Sequence, residues 1–396
     1  MIVECPGFVF VCHPCYNCAI KDAVNNMNAI ILFFQRLHTT QSAGNSSCRS
    51  VLAAAFSLLL ALQLGTTNAS AGPNDDLYTL GPDSLPHDGV PRGKITEPKT
   101  IQSKMFPGAA HMFTVYVPAQ YDSAKPTCLM IFQDGHAFAD LNGEYRVPNV
   151  FDNLIYRREM PVTIAVFINP GHATNQPDFN ASNWDANSIR PEEYNVLDDR
   201  YSQVILQELM PELKRSYNIS ENPDDRALSG ASSGAIAAFT VAWRHPDQFH
   251  KVISTIGSFT AIRGGDAYPD LISQSERKPI RIFLEDGVND NRGVGRGGRG
   301  NTNGTVTVTN DYNPGRDWHG QNIRMVEALT AKGYDVSYAW TLGTHSNKHG
   351  GAIMPEMLRW LWRDYPRADN PADAGNRAPF VPAAAEAPLP GGSPEK

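Results

Sequence analysis

Cysteine is scarce where it would matter for folding. Cys5, Cys12, Cys15, Cys18 and Cys48 lie in the first 48 residues, and only Cys128 lies beyond them. A chain without that first segment can form no internal disulfide, so its stability must rest on a sizeable packed core. Charge is also sparse. Charged residues make up 19%, with 34 Lys and Arg against 41 Asp and Glu, for a net charge of -7. No basic face is implied, which excludes nucleic acid as the expected partner. The apolar run 51–64 is too short for a comfortable membrane span. There is no internal repeat. What remains is a hydrophobic content of 41% in 396 residues, ordinary for one large folded domain or two smaller ones.

The N-terminal cysteines include "VCHPCYNC", with CxxCxxC spacing around His13. That spacing suits a metal or an iron–sulfur cluster. However, it precedes "CRSVLAAAFSLLLALQLGTTNASA", which reads as a secretion signal. Arg49 supplies positive charge, the apolar run follows, and Ala69-Ser70-Ala71 fits a small-x-small cleavage site. Residues 1–71 are therefore expected to be a leader, with Met27 as an alternative start. The protein is expected to be secreted or periplasmic, with no stable membrane insertion once the leader is removed. Residues 72–100 read as an extended lead-in. Residues 101–366 read as a folded domain, and 367–396 as a disordered Pro/Ala-rich tail.

The central part alternates between strand and helix. "HMFTVYVP" alternates apolar and polar and predicts a strand at the sheet edge. "TCLMIFQDG", "VTIAVFINPG", "DRALSG", "HKVISTIGS", "IRIFLEDG" and "DVSYAWTLG" read as further strands, several of them apolar throughout. "SQVILQELMPELKRSY", "GAIAAFTVAWRHP", "QNIRMVEALTAKGY" and "AIMPEMLRWLWRDYP" read as helices. The predicted class is α/β, a mostly parallel central sheet with helices on both faces. Ligands bind such sheets beyond the C-terminal ends of the strands.

One strand-to-helix turn carries a recognisable device. "LSGASSGAIAAF" satisfies G-x-S-x-G through Gly230, Ser232 and Gly234. A sharp turn between strand and helix, with tiny neighbours, would present the Ser232 hydroxyl as a nucleophile. Ser233, next in the chain, would offer its backbone N–H to an oxyanion. A serine hydroxyl attacks poorly until a base removes its proton. The partners should follow in the order acid, then histidine, each in a loop after a later strand. Asp290 in "DGVNDN" and His345 in "TLGTHSNKHG" fit that order. Asp286 is the rival acid and His349 the rival base. The His345/His349 spacing would suit zinc on a helix, but Gly343, Asn347, Gly350 and Gly351 argue against a helix there. The second oxyanion donor is expected from "FQDGHAF", at Gly135 or His136. Trp184, His172, Tyr194 and the stretch "IGSFTAIRGG", with Phe259 in it, are candidates to shape a substrate pocket.

Taken together, "FQDGHAF", "IAVFINPG", "DDRYSQVILQELMPELKRSYNI", "LSGASSGAIAAFTVAWRHPDQF", "FLEDGVND" and "GTHSNKHGGAIMPEMLRWLWRDYP" resemble the enterochelin-esterase-like "putative esterase" family. That family has the α/β-hydrolase fold and includes feruloyl and acetylxylan esterase domains. The resemblance implies a serine carboxylic ester hydrolase with Ser232 as nucleophile, Asp290 as acid and His345 as base. It implies no cofactor and no metal. Its substrate would be a small-molecule or oligosaccharide ester, of siderophore or carbohydrate/phenolic type. Where the family often has glycine before the histidine, this chain has Thr344. Residues 291–315 look inserted, with Arg292, Arg296 and Arg299 in a Gly/Arg-rich flap. An acyltransferase, or a ligand-binding module without catalysis, are the alternatives on the same scaffold. No feature of the sequence bears on oligomeric state.

Overall fold

The computed structural model describes residues 72, 74–173, 187–262, 264–293 and 312–365, with the backbone alone at 4–5, 8–9 and 294. The cysteine-rich motif, the secretion signal, Trp184, Arg296, Arg299 and the tail 367–396 lie outside the described residues. The chain divides into a unit Met1–Asn68 and a compact unit Ala69–Lys396. In the first, Glu4–Cys5 pairs with Phe8–Val9 in a short antiparallel ladder.

The second unit is built on a nine-stranded sheet. In chain order its strands are β1 Lys94–Ile95, β2 Lys99–Gln102, β3 Ala110–Val117, β4 Cys128–Gln133, β5 Thr163–Ile168, β6 Arg226–Ala231, β7 Lys251–Thr255, β8 Arg281–Gly287 and β9 Asp335–Thr341. They lie in the order β9-β8-β7-β6-β4-β5-β3-β1, with β2 also on β3. From β9 to β5 every pairing is parallel. β3 runs antiparallel to β5, and β1 and β2 run antiparallel to β3.

The strands alternate in the direction of burial, as a period of two requires. Leu129 and Ile131 of β4 face one core, with Val166, Leu228, Val252 and Leu284 from neighbouring strands. Cys128, Met130 and Phe132 face the other, with Phe167, Ala227 and Ile253. The first core is closed by helix Ser233–Arg244 and helix Trp318–Ala331. The second is closed by Val147–Tyr156 and Met354–Leu361. Helices on both faces explain why the parallel strands read as unbroken apolar runs.

Two expectations change here. "HMFTVYVP" is not an edge strand, because the lead-in does not merely extend. It supplies β1 and β2, which cover β3 on its outer side. A helix does form at Asn347–Ala352 despite its glycines. Ser346 caps it by accepting a hydrogen bond from the Lys348 N–H at 3.3 Å.

The C-terminal ends of the six parallel strands share one edge of the sheet. The loops leaving that edge carry Gly135, Ser232, Asp290 and His345.

Candidate active site

Ser232 occupies a turn with no slack. It follows β6 directly and precedes helix Ser233–Arg244. Its φ of 56° and ψ of -120° are strained for a residue with a side chain, costing about 1–3 kcal/mol. The surroundings hold it there. Its N–H donates to the Thr255 carbonyl at 2.9 Å, and its own carbonyl accepts from the Ser258 N–H at 3.1 Å. A Cβ on Gly230 would sit 2.3 Å from the Gly234 carbonyl, and one on Gly234 would sit 2.7 Å from the Asp134 carboxylate. The glycines thus allow the helix to start immediately against the strand.

His345, just before helix Asn347–Ala352, brings Nε2 within 2.8 Å of Ser232 Oγ. Its Nδ1 lies 2.9 and 2.8 Å from the two oxygens of Asp290. A carboxylate can only accept, so the imidazole proton sits on Nδ1 and leaves Nε2 bare to accept from the serine hydroxyl. The Asp290 side chain is fully buried. It also accepts a hydrogen bond from the Asn291 N–H.

The rivals face elsewhere. His349 puts Nδ1 2.6 Å from Glu285, in a buried pair away from Ser232. Burial pushes the Glu285 carboxyl up, against the opposing effect of His349. Asp286 does not meet His345. One of its oxygens accepts from Asn322 Nδ2 and from His319 Nδ1, each at 3.3 Å. Burial, which comes first, holds its carboxyl well above the ordinary value of 3.8, with the nearby Asp290 adding to the effect. A protonated Asp286 donates naturally to Asp290, which lies within hydrogen-bonding reach.

This arrangement has a measurable consequence. Above about pH 4 the unfolded chain releases the Asp286 proton while the folded chain keeps it. Folding then takes up a proton, so stability falls as pH rises. Asparagine keeps a donor toward Asp290 and does not titrate. Asp286→Asn should therefore stabilise the protein by an amount that grows from pH 4 to pH 7. Turnover should stay within about fivefold of wild type, the range of one hydrogen bond. Thermal melts across that pH range check this; a stability difference that does not change with pH would refute the protonated Asp286.

Of the expected oxyanion donors, Ser233 is the first residue of its helix and Gly135 the first residue of helix Gly135–Ala139. First-turn N–H groups have no acceptor within their own helix. The His136 N–H differs, because it already donates to Asn169 Oδ1 at 3.0 Å. His136 is therefore corrected as an oxyanion donor. Phe259 is corrected as a pocket residue: it is fully buried, packed on Phe239 and Tyr268. Tyr194 is likewise buried under the loop after β4, where its hydroxyl accepts from the Asp134 N–H at 3.5 Å. The His172 backbone bridges Ala110 and Ser188, extending the pairing at β3.

Two neighbours of Ser232 were not named individually from the sequence, although one, Ser258, lies in the expected pocket stretch "IGSFTAIRGG". Ser258 Oγ lies 3.1 Å from Ser232 Oγ and accepts from Trp318 Nε1 at 3.0 Å. The Trp318 ring also stands edge-on to His345, at 5.7 Å between centroids. Trp318 follows directly from Tyr312–Asp317, which pairs with Arg292–Val294. The inserted segment thus begins and ends beside the site. "IGSFTAIRGG" pointed to the pocket without singling out Ser258, and "DWH" carries no pattern that would have singled out Trp318.

The "Putative esterase" family model matches residues 106–263, a stretch that includes Ser232 and ends before Asp290. The chain is similar to the uncharacterized protein YbbA of Bacillus subtilis (strain 168), with 22% identity over 185 residues. That match covers 46% of this chain and 69% of YbbA. Among solved structures, a ferulic acid esterase is similar at a TM-score of 0.51 and 16% identity, covering 69% of this chain and 99% of that one. The enterobactin esterase FES from Shigella flexneri is similar at 0.51 and 17%, covering 72% of this chain and 63% of that one. A ferulic acid esterase from Anaeromyces mucronatus is similar at 0.50 and 17%, covering 72% and 97%. These similarities show the α/β-hydrolase fold, and the "Putative esterase" match covers less than half of the chain. On that fold, the chain resembles the enterochelin-esterase-like family, as its motifs implied.

Proposed function

We propose that this protein is an exported serine esterase that cleaves phenolic esters through a covalent acyl-enzyme. The observation that supports it most is the hydrogen-bonded line from Ser232 through His345 to Asp290. Ser232 Oγ attacks the ester carbonyl while His345 Nε2 takes its proton. Asp290 orients the ring and stabilises the imidazolium. The backbone N–H groups of Ser233 and Gly135 hold the oxyanion. His345 then returns the proton to the leaving alkoxide, and water repeats the sequence to release the acid.

The phenolic choice rests on similar structures. One is named for ferulic acid, and FES was crystallised with 2,3-dihydroxy-N-benzoyl-serine. Both ligands carry a hydroxylated aromatic ring. A panel of methyl ferulate, a catecholate siderophore ester and acetylated xylan fragments tests this. The phenolic esters should give the higher kcat/KM, and a preference for acetylated xylan would refute the choice. Product analysis with added acceptor sugars separates hydrolysis from acyl transfer; free acid should dominate. Export is supported by the leader motif and predicts recovery outside the cytoplasm. No helix among the described residues is long and apolar enough to cross a membrane.

Ser258 gives a smaller prediction. Its hydroxyl shares the Ser232 oxygen and is itself fixed by Trp318. Ser258→Ala should lower kcat by about fivefold, the worth of one neutral hydrogen bond, with the fold intact by circular dichroism.

A further inference from the structure

We infer that Gly72, Asp75, Asp76 and Tyr78 lock the His345 loop in place, and that the lock is completed by the α-ammonium group of a chain beginning at Gly72. The anchor is Asp75, which is 1% exposed. Its carboxylate accepts from the Thr344 N–H at 2.7 Å and from the Thr344 hydroxyl at 2.5 Å. Thr344 is the residue before His345. The same carboxylate accepts from the Gly72 N–H at 2.6 Å. Around it, the Tyr78 hydroxyl accepts from the Leu342 N–H at 2.9 Å, and the Tyr78 ring stands edge-on to His349. Lys348 pairs with Asp76. Residues 342–349 are therefore held from outside by a segment more than 260 positions earlier in the chain.

Asp75 is short of one thing. Among the described residues every hydrogen bond it accepts comes from a neutral donor; the Lys348 ammonium acts on it only through space and hydrogen-bonds to Asp76. A buried carboxylate is costly without a positive partner in direct contact. The atom best placed to supply one is Gly72 N. In an uncut chain it is a neutral peptide N–H. Cleavage after Ala71, at the small-x-small site, would turn it into an ammonium group already in contact with Asp75. Packing allows little else at this position, since a Cβ on Gly72 would lie 2.5 Å from the Thr344 side chain. Asp75 is thus a positioning residue that acts on His345 through Thr344. Removal of the leader tightens it, because a charge-assisted bond is about twice as strong as a neutral one.

The inference rests on the proposed serine mechanism, and the test keeps the two apart. The unit Ala69–Lys396 contains the whole sheet and both cores, so a chain starting at Gly72 keeps the fold. Three forms are compared near pH 7 on a p-nitrophenyl ester. They are the full chain made without export, the chain starting at Gly72 with a free amine, and that chain N-acetylated. The free-amine form should have a kcat about three- to tenfold above the other two, with KM changed less than twofold. In an Asp75→Asn background the three should converge. The mass of the exported protein should correspond to a start at Gly72. Equal kcat in all three forms, or an exported chain that starts elsewhere, overturns the lock. Undiminished hydrolysis by Ser232→Ala would instead overturn the serine mechanism beneath it.

Discussion

Ser232→Ala is expected to lower kcat on a p-nitrophenyl ester by roughly 10⁴- to 10⁶-fold, with KM little changed. The size of the effect follows from the geometry. The Ser232 hydroxyl is the oxygen that meets His345 Nε2, at 2.8 Å. Ser258 lies next to it, but its own hydroxyl bonds to Trp318 and Ser232, with no bond to His345. It is therefore poorly placed to substitute. Removing Oγ deletes the covalent route, and what remains is whatever the oxyanion donors achieve with water. The variant should melt near the wild-type temperature, because alanine removes only a half-buried hydroxyl and leaves the backbone hydrogen bonds of the turn in place. A loss of activity with a preserved melt separates chemistry from folding.

Asp290→Asn should be nearly as damaging, at roughly 10⁴-fold in kcat. The volume is the same, yet the hydrogen-bond logic reverses. Asparagine Nδ2 could donate to His345 Nδ1, which favours the tautomer with the proton on Nε2. That nitrogen would then be unable to take the proton from Ser232. Alternatively the amide oxygen faces Nδ1 and the amide donors meet Asn291 N–H and Asp286, which are donors themselves. Either arrangement loses the negative charge that stabilises the imidazolium. Asp286→Asn is the natural control, with an expected change of fivefold or less. Steady-state kinetics on the two variants side by side decides between the carboxylates. A larger loss at position 286 than at 290 would reverse the assignment.

The parallel strands were readable because burial on both faces leaves an unmistakable apolar run in "TCLMIF" and "VTIAVFI". The three residues that meet at the site were also named from the sequence, since each follows one of those strands. The unreadable parts depended on contacts remote in the chain. "HMFTVYVP" alternates like an edge strand, but its outer neighbours come from a polar lead-in whose short strands, Lys94–Ile95 and Lys99–Gln102, expose every side chain but that of Ile101. Asp286 and Asp290 are four residues apart across a turn, so their roles depend on side-chain direction. Phe259 and Ser258 are adjacent, yet one enters the core and the other meets Ser232. Local propensity also misled at Asn347–Ala352. Its glycines disfavour a helix, but Gly350 packs against Thr255 and Gly351 against the Glu144 backbone, where larger residues would collide.

The central claim is that one particular hydroxyl is the nucleophile, and a serine-directed phosphonate tests it most directly. After inhibition, peptide mass spectrometry should find a single adduct on Ser232, absent from Ser232→Ala and much slower to form in His345→Ala. An adduct on Ser233 or Ser258, or full hydrolytic activity in protein that resists the phosphonate, would contradict it.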